Sequence, residues 1–371
     1  MGGESLRAHK FFKESWPALA LVLLLAMVGI ASLYSASGGE ESASRMPIYV
    51  KQFLFLVLGF LAGTLVVVVD YRRWLEYSWL LYAGCVLLLV TVLVIGRVTS
   101  GSQRWIDLGL ITVQPSELTK WALLLVITRH FQSNPSAHGY YTLRDVLRPS
   151  GAALLAAALI MMEPDLGTTV LVTLISVSVL LMGGLRLRSF LKVVGLGLAA
   201  LPFAWRMLAD YQKRRVLTFL DPQRDPLGAG YHVTQSKIAV GSGGLFGKGY
   251  LQGTQSQLHF LPEHHTDFAF SVWAEEWGFV GCVILLGAFL LLLLYGLHVA
   301  SKATDRVARL MALGVVAFFF WPVAINVAMT LGLVPVVGIA LPFISYGGSS
   351  LVSSMMALGL LVNVHSRRFF F

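Results

Sequence analysis

The sequence predicts an all-α polytopic membrane protein, and three observations carry that expectation. Of 371 residues, 56% are hydrophobic and only 13% charged, with a mean hydropathy of +0.73, which is too little polar surface to cover a soluble globule of this size. The apolar residues gather in ten runs separated by polar segments. Lysine and arginine are concentrated in alternate polar segments, the asymmetry expected of cytoplasmic loops. One transmembrane domain, 1–371, accounts for the chain better than several soluble ones.

The first run, Trp16 to Tyr34, follows Arg7, Lys10 and Lys13. Ser35-Ala36-Ser37 resembles a signal-peptide cleavage site, but a run of about 19 residues exceeds the roughly 7 to 15 of a signal core, so it reads as a retained span. Further runs are Phe53 to Val69, Ser78 to Ile95, Leu118 to Phe131, Ser150 to Met162, Leu166 to Leu185, Phe190 to Leu208, Phe268 to Val299, Val307 to Leu333 and Gly347 to Val364. With the N-terminus inside, the inner segments hold Arg72 and Arg73, then Arg129, Arg144 and Arg148, then Arg186, Arg188 and Lys192, then Lys302, Arg306 and Arg309, and last Arg367 and Arg368. The short outer segments hold only Arg45, Lys51, Arg97 and Arg104. Both termini are therefore expected in the cytoplasm, and the net charge of +9 needs no nucleic acid to explain it. One large extracytoplasmic loop is expected over about residues 209–267; loops of about 60 residues translocate largely regardless of charge. Leu118 to Phe131 and Ser150 to Met162 are short for spans. They are expected either to line a cavity or to be lengthened by helical turns from their polar flanks. Cys85 and Cys282 lie in apolar runs and read as small hydrophobes, not as a disulfide or metal site.

The chemistry-bearing residues cluster on the expected outer side. Pro115 suits the first turn of a helix that Gln114 or Ser116 could cap, and Glu117 and Lys120, three apart, form a pair that must face the bundle interior. That pair serves either as a structural lock or as a holder of an anionic head group. In Glu163-Pro164-Asp165, Asp165 is expected to cap the next helix, leaving Glu163 to face a cavity. Gly241 to Gly249 is not a nucleotide loop, because Lys248 is followed by glycine and no βα unit surrounds it; it reads as a mobile loop or as a phosphate cradle with Lys248. In Pro262-Glu-His-His-Thr-Asp-Phe268, the acids and histidines are too nearly adjacent for a dedicated zinc site. An extended backbone there would put Glu263, His265 and Asp267 on one side. Asp267 precedes the eighth run, at head-group depth, where it is either an N-cap or a carboxylate that takes a proton from a substrate hydroxyl. Glu275 and Glu276 are intramembrane carboxylates and hence functional candidates. Leu333 to Ser350, with two prolines and several glycines and serines, reads as irregular backbone lining a cavity.

Taken in order, Gly101-Ser-Gln-Arg-Trp105-Ile, Gln114-Pro-Ser-Glu117-Leu-Thr-Lys120, Glu163-Pro-Asp-Leu-Gly-Thr168, the loop ending in Pro262-Glu-His-His-Thr-Asp267-Phe, Glu275-Glu276 and Leu341-Pro-Phe-Ile-Ser-Tyr-Gly-Gly-Ser-Ser350 resemble the SEDS proteins (shape, elongation, division and sporulation). Gly253-Thr-Gln-Ser-Gln-Leu258 resembles the elongation branch more than the division branch, whereas His264 before His265 departs from the common pattern. The resemblance covers nearly the whole chain. It implies a peptidoglycan glycosyltransferase that polymerises lipid II during cell elongation, in the bacterial inner membrane, with a class B penicillin-binding protein as partner. Within it Asp267 is the essential acid, and Trp105, Glu117 and Lys120 belong to the functional cavity. The remaining substrate-binding expectations are Glu163, Glu275 and Glu276, with Arg214, Arg215, Lys237 or Lys248, or a divalent cation (Mg2+ or Mn2+), facing the leaving pyrophosphate. The competing reading is a transporter of the lipid-linked precursor, and a third is a scaffold for wall-synthesis partners.

Overall fold

The computed structural model describes residues 2–37, 46–99, 102–107, 109, 112–136, 138–207, 213, 217–219, 221, 229–258, 260, 261, 263 and 265–367. Its helices in chain order are α1 (Gly2–Ala36), α2 (Ile48–Val68), α3 (Tyr71–Glu76), α4 (Ser78–Ile95), α5 (Pro115–Ser133), α6 (Leu147–Met162), α7 (Leu166–Met182), α8 (Leu187–Met207), α9 (Ala229–Ser242), α10 (Thr254–Gln257), α11 (Ala269–Lys302), α12 (Arg306–Thr330) and α13 (Gly348–Arg367). Six are long and apolar enough to cross a membrane: the Trp16–Ala36 part of α1, then α2, α4, α11, α12 and α13. The run Leu118 to Phe131 is extended at both ends into the 19-residue α5, so its polar flanks do lengthen it. From Trp121 to Thr128 every α5 side chain is buried, on all faces of the helix, which is the mark of a helix central to its bundle.

Among the described residues, one sheet departs from the all-α expectation. Between α4 and α5, β1 (Arg97–Thr99) pairs antiparallel with β2 (Ser102–Asp107), and β2 with β3 (Thr112–Val113). Val98, Thr99, Trp105, Ile106, Thr112 and Val113 are β-branched or aromatic and favour extended pairing. Strands this short in a polar segment leave no trace in hydropathy.

Contacts sort the connecting segments into two ends. At one end Arg306 donates to the Gly183 carbonyl (2.7 Å), Tyr141 N–H to the Gly184 carbonyl (2.9 Å) and the Tyr71 hydroxyl to Asp305 (2.9 Å). At the other, Gln114 N–H donates to Ser349 (2.9 Å) and Tyr346 N–H to the His265 carbonyl (2.8 Å). The two sets are the basic segments and the motif-bearing segments, respectively.

The second short run, Ser150 to Met162, ends where α6 does, and α7 begins after the Glu163–Asp165 turn. From Leu331 to Gly347 the backbone is non-helical, as its prolines and glycines require. Along α8, every residue from Leu191 to Ala200 is exposed. Such a face is stable only against lipid or a partner.

Candidate functional site

Asp165 anchors the site from the α7 side. Its carboxylate accepts from Thr168 N–H (3.0 Å) and the Thr168 hydroxyl (2.9 Å), so it caps α7 as expected. It also accepts from the Gln114 side chain (3.0 Å), and Arg104 on β2 stands 3.7 Å away. Gln114 therefore spends its side chain across the bundle, and neither it nor Ser116 makes a side-chain cap to α5. Glu163, in the same turn, is fully buried, and neither carboxylate oxygen has a hydrogen-bond partner. Trp105 is half-buried on β2, opposite Arg97.

The irregular segment after α12 joins this turn to Asp267. The start of α7 lies so close to it that a Cβ on Gly167 would sit 2.3 Å from the Val337 carbonyl. The next residue, Gly338, has φ +70° and lies under the Asp267 side chain, where an added Cβ would be 3.2 Å from Oδ2. Buried Asn326 on α12 donates through its amide to both the Asp267 carbonyl (2.9 Å) and the Ile339 carbonyl (2.6 Å). One side chain thus fixes the Asp267 backbone against the segment that carries Gly338. Asp267 itself is half-buried.

The backbone approaching Asp267 is not extended. Glu263 has φ +51° and its carbonyl accepts from the N–H groups of Thr266 (3.1 Å) and Asp267 (3.2 Å), a turn that corrects the same-side placement of Glu263, His265 and Asp267. Asp267 is not an N-cap either, since α11 starts at Ala269 after Phe268 and has no side-chain cap. Beside it, Ser236 of α9 bonds to Ser271 (2.7 Å) and to the Thr330 carbonyl (2.7 Å), and the neighbouring Lys237 is exposed against Gly332, without an ion-pair partner among the described residues.

The glycine-rich stretch packs its backbone against α11. Helix α11 is broken at Gly278 (φ 64°, ψ −162°), which leaves backbone groups without intrahelical partners. The stretch supplies them: Lys248 N–H donates to the Glu275 carbonyl (3.0 Å), Gly249 N–H to the Glu276 carbonyl (3.1 Å), and Phe279 N–H reaches the Gly244 carbonyl (2.9 Å). A Cβ on Gly247 would lie 2.0 Å from the Glu276 carbonyl, which is why glycine stands there. Lys248 Nζ pairs with buried Glu275 (2.6 Å), whose carboxylate also accepts from the Thr254 hydroxyl (3.0 Å) and Gln255 N–H (3.1 Å). Glu276 accepts from the Ser35 hydroxyl on α1.

Glu117 and Lys120 are both buried, with the ammonium 2.9 Å from both carboxylate oxygens; Ser353 of α13 donates to Glu117 Oε2 (2.8 Å), and the ammonium stands over the Phe318 ring. Arg214 and Arg215 lie outside the described residues, as do Pro262 and His264. Among the described residues, no three of His, Cys, Asp and Glu gather in a way that could hold a metal ion. Sequence reading did not single out Arg104, Asn326, Ser353 or Gly338. The signal for Asn326 was available, because an uncharged polar side chain inside a span must find partners there.

The fold and site define a polytopic membrane protein that holds buried carboxylates and a half-buried aspartate at one end of a helical bundle. The chain belongs to the FTSW_RODA_SPOVE family, described as cell cycle proteins, whose model matches residues 15–369. It is 42% identical to the peptidoglycan glycosyltransferase MrdB of Escherichia coli K12 over 95% of this chain and 94% of that protein. It is 33% identical to the peptidoglycan glycosyltransferase RodA of Treponema pallidum, covering 94% and 97%. Among solved structures it superposes on a chain from a peptidoglycan synthase complex with a TM-score of 0.80 (33% identity, 95% and 98% covered). Against the rod shape determining protein RodA of Thermus thermophilus the TM-score is 0.70, at 32% identity with 95% and 97% covered.

Proposed function

We propose that this chain is a peptidoglycan glycosyltransferase that polymerises lipid II at the outer face of the bacterial cytoplasmic membrane during elongation. The supporting observation is Asp267, a half-buried carboxylate with its backbone tied down by Asn326 and its side chain seated over Gly338, in a chain whose relatives carry that activity by name. Under this reading the chain crosses the membrane ten times with both termini inside, and the motif-bearing end faces outward.

Asp267 removes the proton from the 4-hydroxyl of the acceptor N-acetylglucosamine. The freed oxygen attacks the anomeric carbon of the donor N-acetylmuramic acid, the bond from that carbon to the pyrophosphate breaks, and polyprenyl pyrophosphate leaves with the electron pair, inverting the centre. General-base catalysis of this kind is worth about 10² to 10⁴ in rate. Lys237 is exposed without an ion-pair partner among the described residues, and Arg104, beside Asp165, is part-exposed; both serve the leaving pyrophosphate. Lys248 and Lys120 hold buried glutamates instead, and Trp105, Glu117, Glu163, Glu275 and Glu276 shape the walls. A class B penicillin-binding protein is the proposed partner, in keeping with the synthase complex among the structural neighbours.

Purified protein incubated with lipid II in detergent makes glycan polymer if this reading holds, and Asp267→Asn makes none while unfolding at the wild-type temperature. A precursor transporter, the competing reading favoured by buried Glu275 and Glu276, yields no polymer in that assay. Normal chains from Asp267→Asn remove the base assignment.

A further inference from the structure

At the end of the bundle remote from Asp267, α1, α11 and α13 line an open groove of about 850 Å³ that the proposed reaction does not use. Its wall is a single stripe of α11: Leu291, Leu294, Tyr295, His298 and Lys302 recur at helical spacing on one face. Pro17 of α1 and buried His365 of α13 complete it, His365 lying 5.9 Å from the Tyr295 ring.

The stripe changes character along the membrane normal. From Phe279 to Leu297 no α11 residue is charged, and at 1.5 Å per residue that stretch spans about 28 Å, close to the hydrocarbon thickness of a bilayer. His298 and Lys302 therefore emerge at the polar boundary, while Leu291 and Leu294, 58% and 50% exposed, remain at acyl depth. Among the described residues, no carboxylate lines the groove. Asp305, three residues beyond Lys302, is occupied by the Tyr71 hydroxyl (2.9 Å) and Ala308 N–H (2.7 Å). A groove that is apolar at depth and cationic at the rim complements one chemistry.

We propose that this groove binds an anionic phospholipid, with the acyl chain along Leu291 and Leu294 and the phosphate on Lys302 and His298. The proposal rests on the chain spanning a bilayer and not on its catalytic reading, so the two can fail separately. Basic pockets between spanning helices recognise anionic head groups in this way.

The full-length protein in detergent, mixed with equal phosphatidylglycerol and phosphatidylethanolamine, is examined by native mass spectrometry. One lysine contact corresponds to about a fivefold preference for phosphatidylglycerol, lost in Lys302→Gln; Leu294→Trp, which fills the groove, abolishes retention of both lipids. Equal retention by the wild type, an unchanged preference in Lys302→Gln, or displacement by an equal excess of inorganic phosphate overturns the assignment; so does a groove taken by a partner's helix, which leaves no lipid preference. Should a variant fail to fold, photoactivatable phosphatidylglycerol decides on the wild type: adducts between Leu291 and Lys302 support the site, and adducts only elsewhere overturn it.

Discussion

Gly338→Ala tests whether the seat under Asp267 matters for turnover. The backbone there has φ +70°, a region in which a residue with a Cβ pays about 1 to 2 kcal/mol. The new methyl would stand 3.2 Å from Asp267 Oδ2, tighter than ordinary van der Waals contact of about 3.5 to 4.0 Å. The carboxylate must yield by a few tenths of an ångström. Misplacement by about 1 Å costs on the order of 100-fold, so a fraction of that predicts roughly a threefold to tenfold fall in kcat. Gly139→Ala is the matched control: its φ is +73°, with nothing within 4 Å of the added Cβ, at the opposite end of the bundle. Both variants lose similar stability by thermal unfolding, and only Gly338→Ala loses polymerisation rate on lipid II. Equal rates in the two variants would refute the claim that Gly338 positions Asp267.

Three further outcomes follow from buried partners. Lys120→Met strands Glu117 in the bundle and destabilises the protein by about 3 to 5 kcal/mol; adding Glu117→Gln recovers much of that loss in thermal unfolding. Asn326→Leu frees two buried carbonyls at about 1 to 3 kcal/mol each, so a lower melting temperature is accompanied by faster hydrogen exchange at Asp267 and Ile339. Lys248→Met leaves Glu275 without its cation, and exchange rises between Gly241 and Gln257, a change absent if the lysine is solvated rather than paired.

Identity of the candidate base was legible because Asp267 is an acid at the boundary of an apolar run, and such boundaries are visible in one dimension. The capping role of Asp165 and the broken backbone before Ser350 were legible for the same reason: caps and helix breakers act on their own chain neighbours. The role of the glycine-rich stretch was not. It answers a break in α11 some 30 residues later in the sequence, and a hydrogen bond between distant backbones depends on no side-chain type. The small β-sheet escaped because its strands are too short and too polar-flanked to show a period.

Sequence alone therefore determined that the chain lives in a membrane and where its polar segments fall, because burial in lipid constrains composition residue by residue. Tertiary structure decided which cations remain available and which are consumed: Lys120 and Lys248 are held by Glu117 and Glu275, whereas Lys237 is exposed. It also decided that Asp267 sits on Gly338 and hangs from Asn326. The physical reason is that a charge takes its function from what surrounds it in space, and residues 59 and 71 positions away along the chain supply those surroundings.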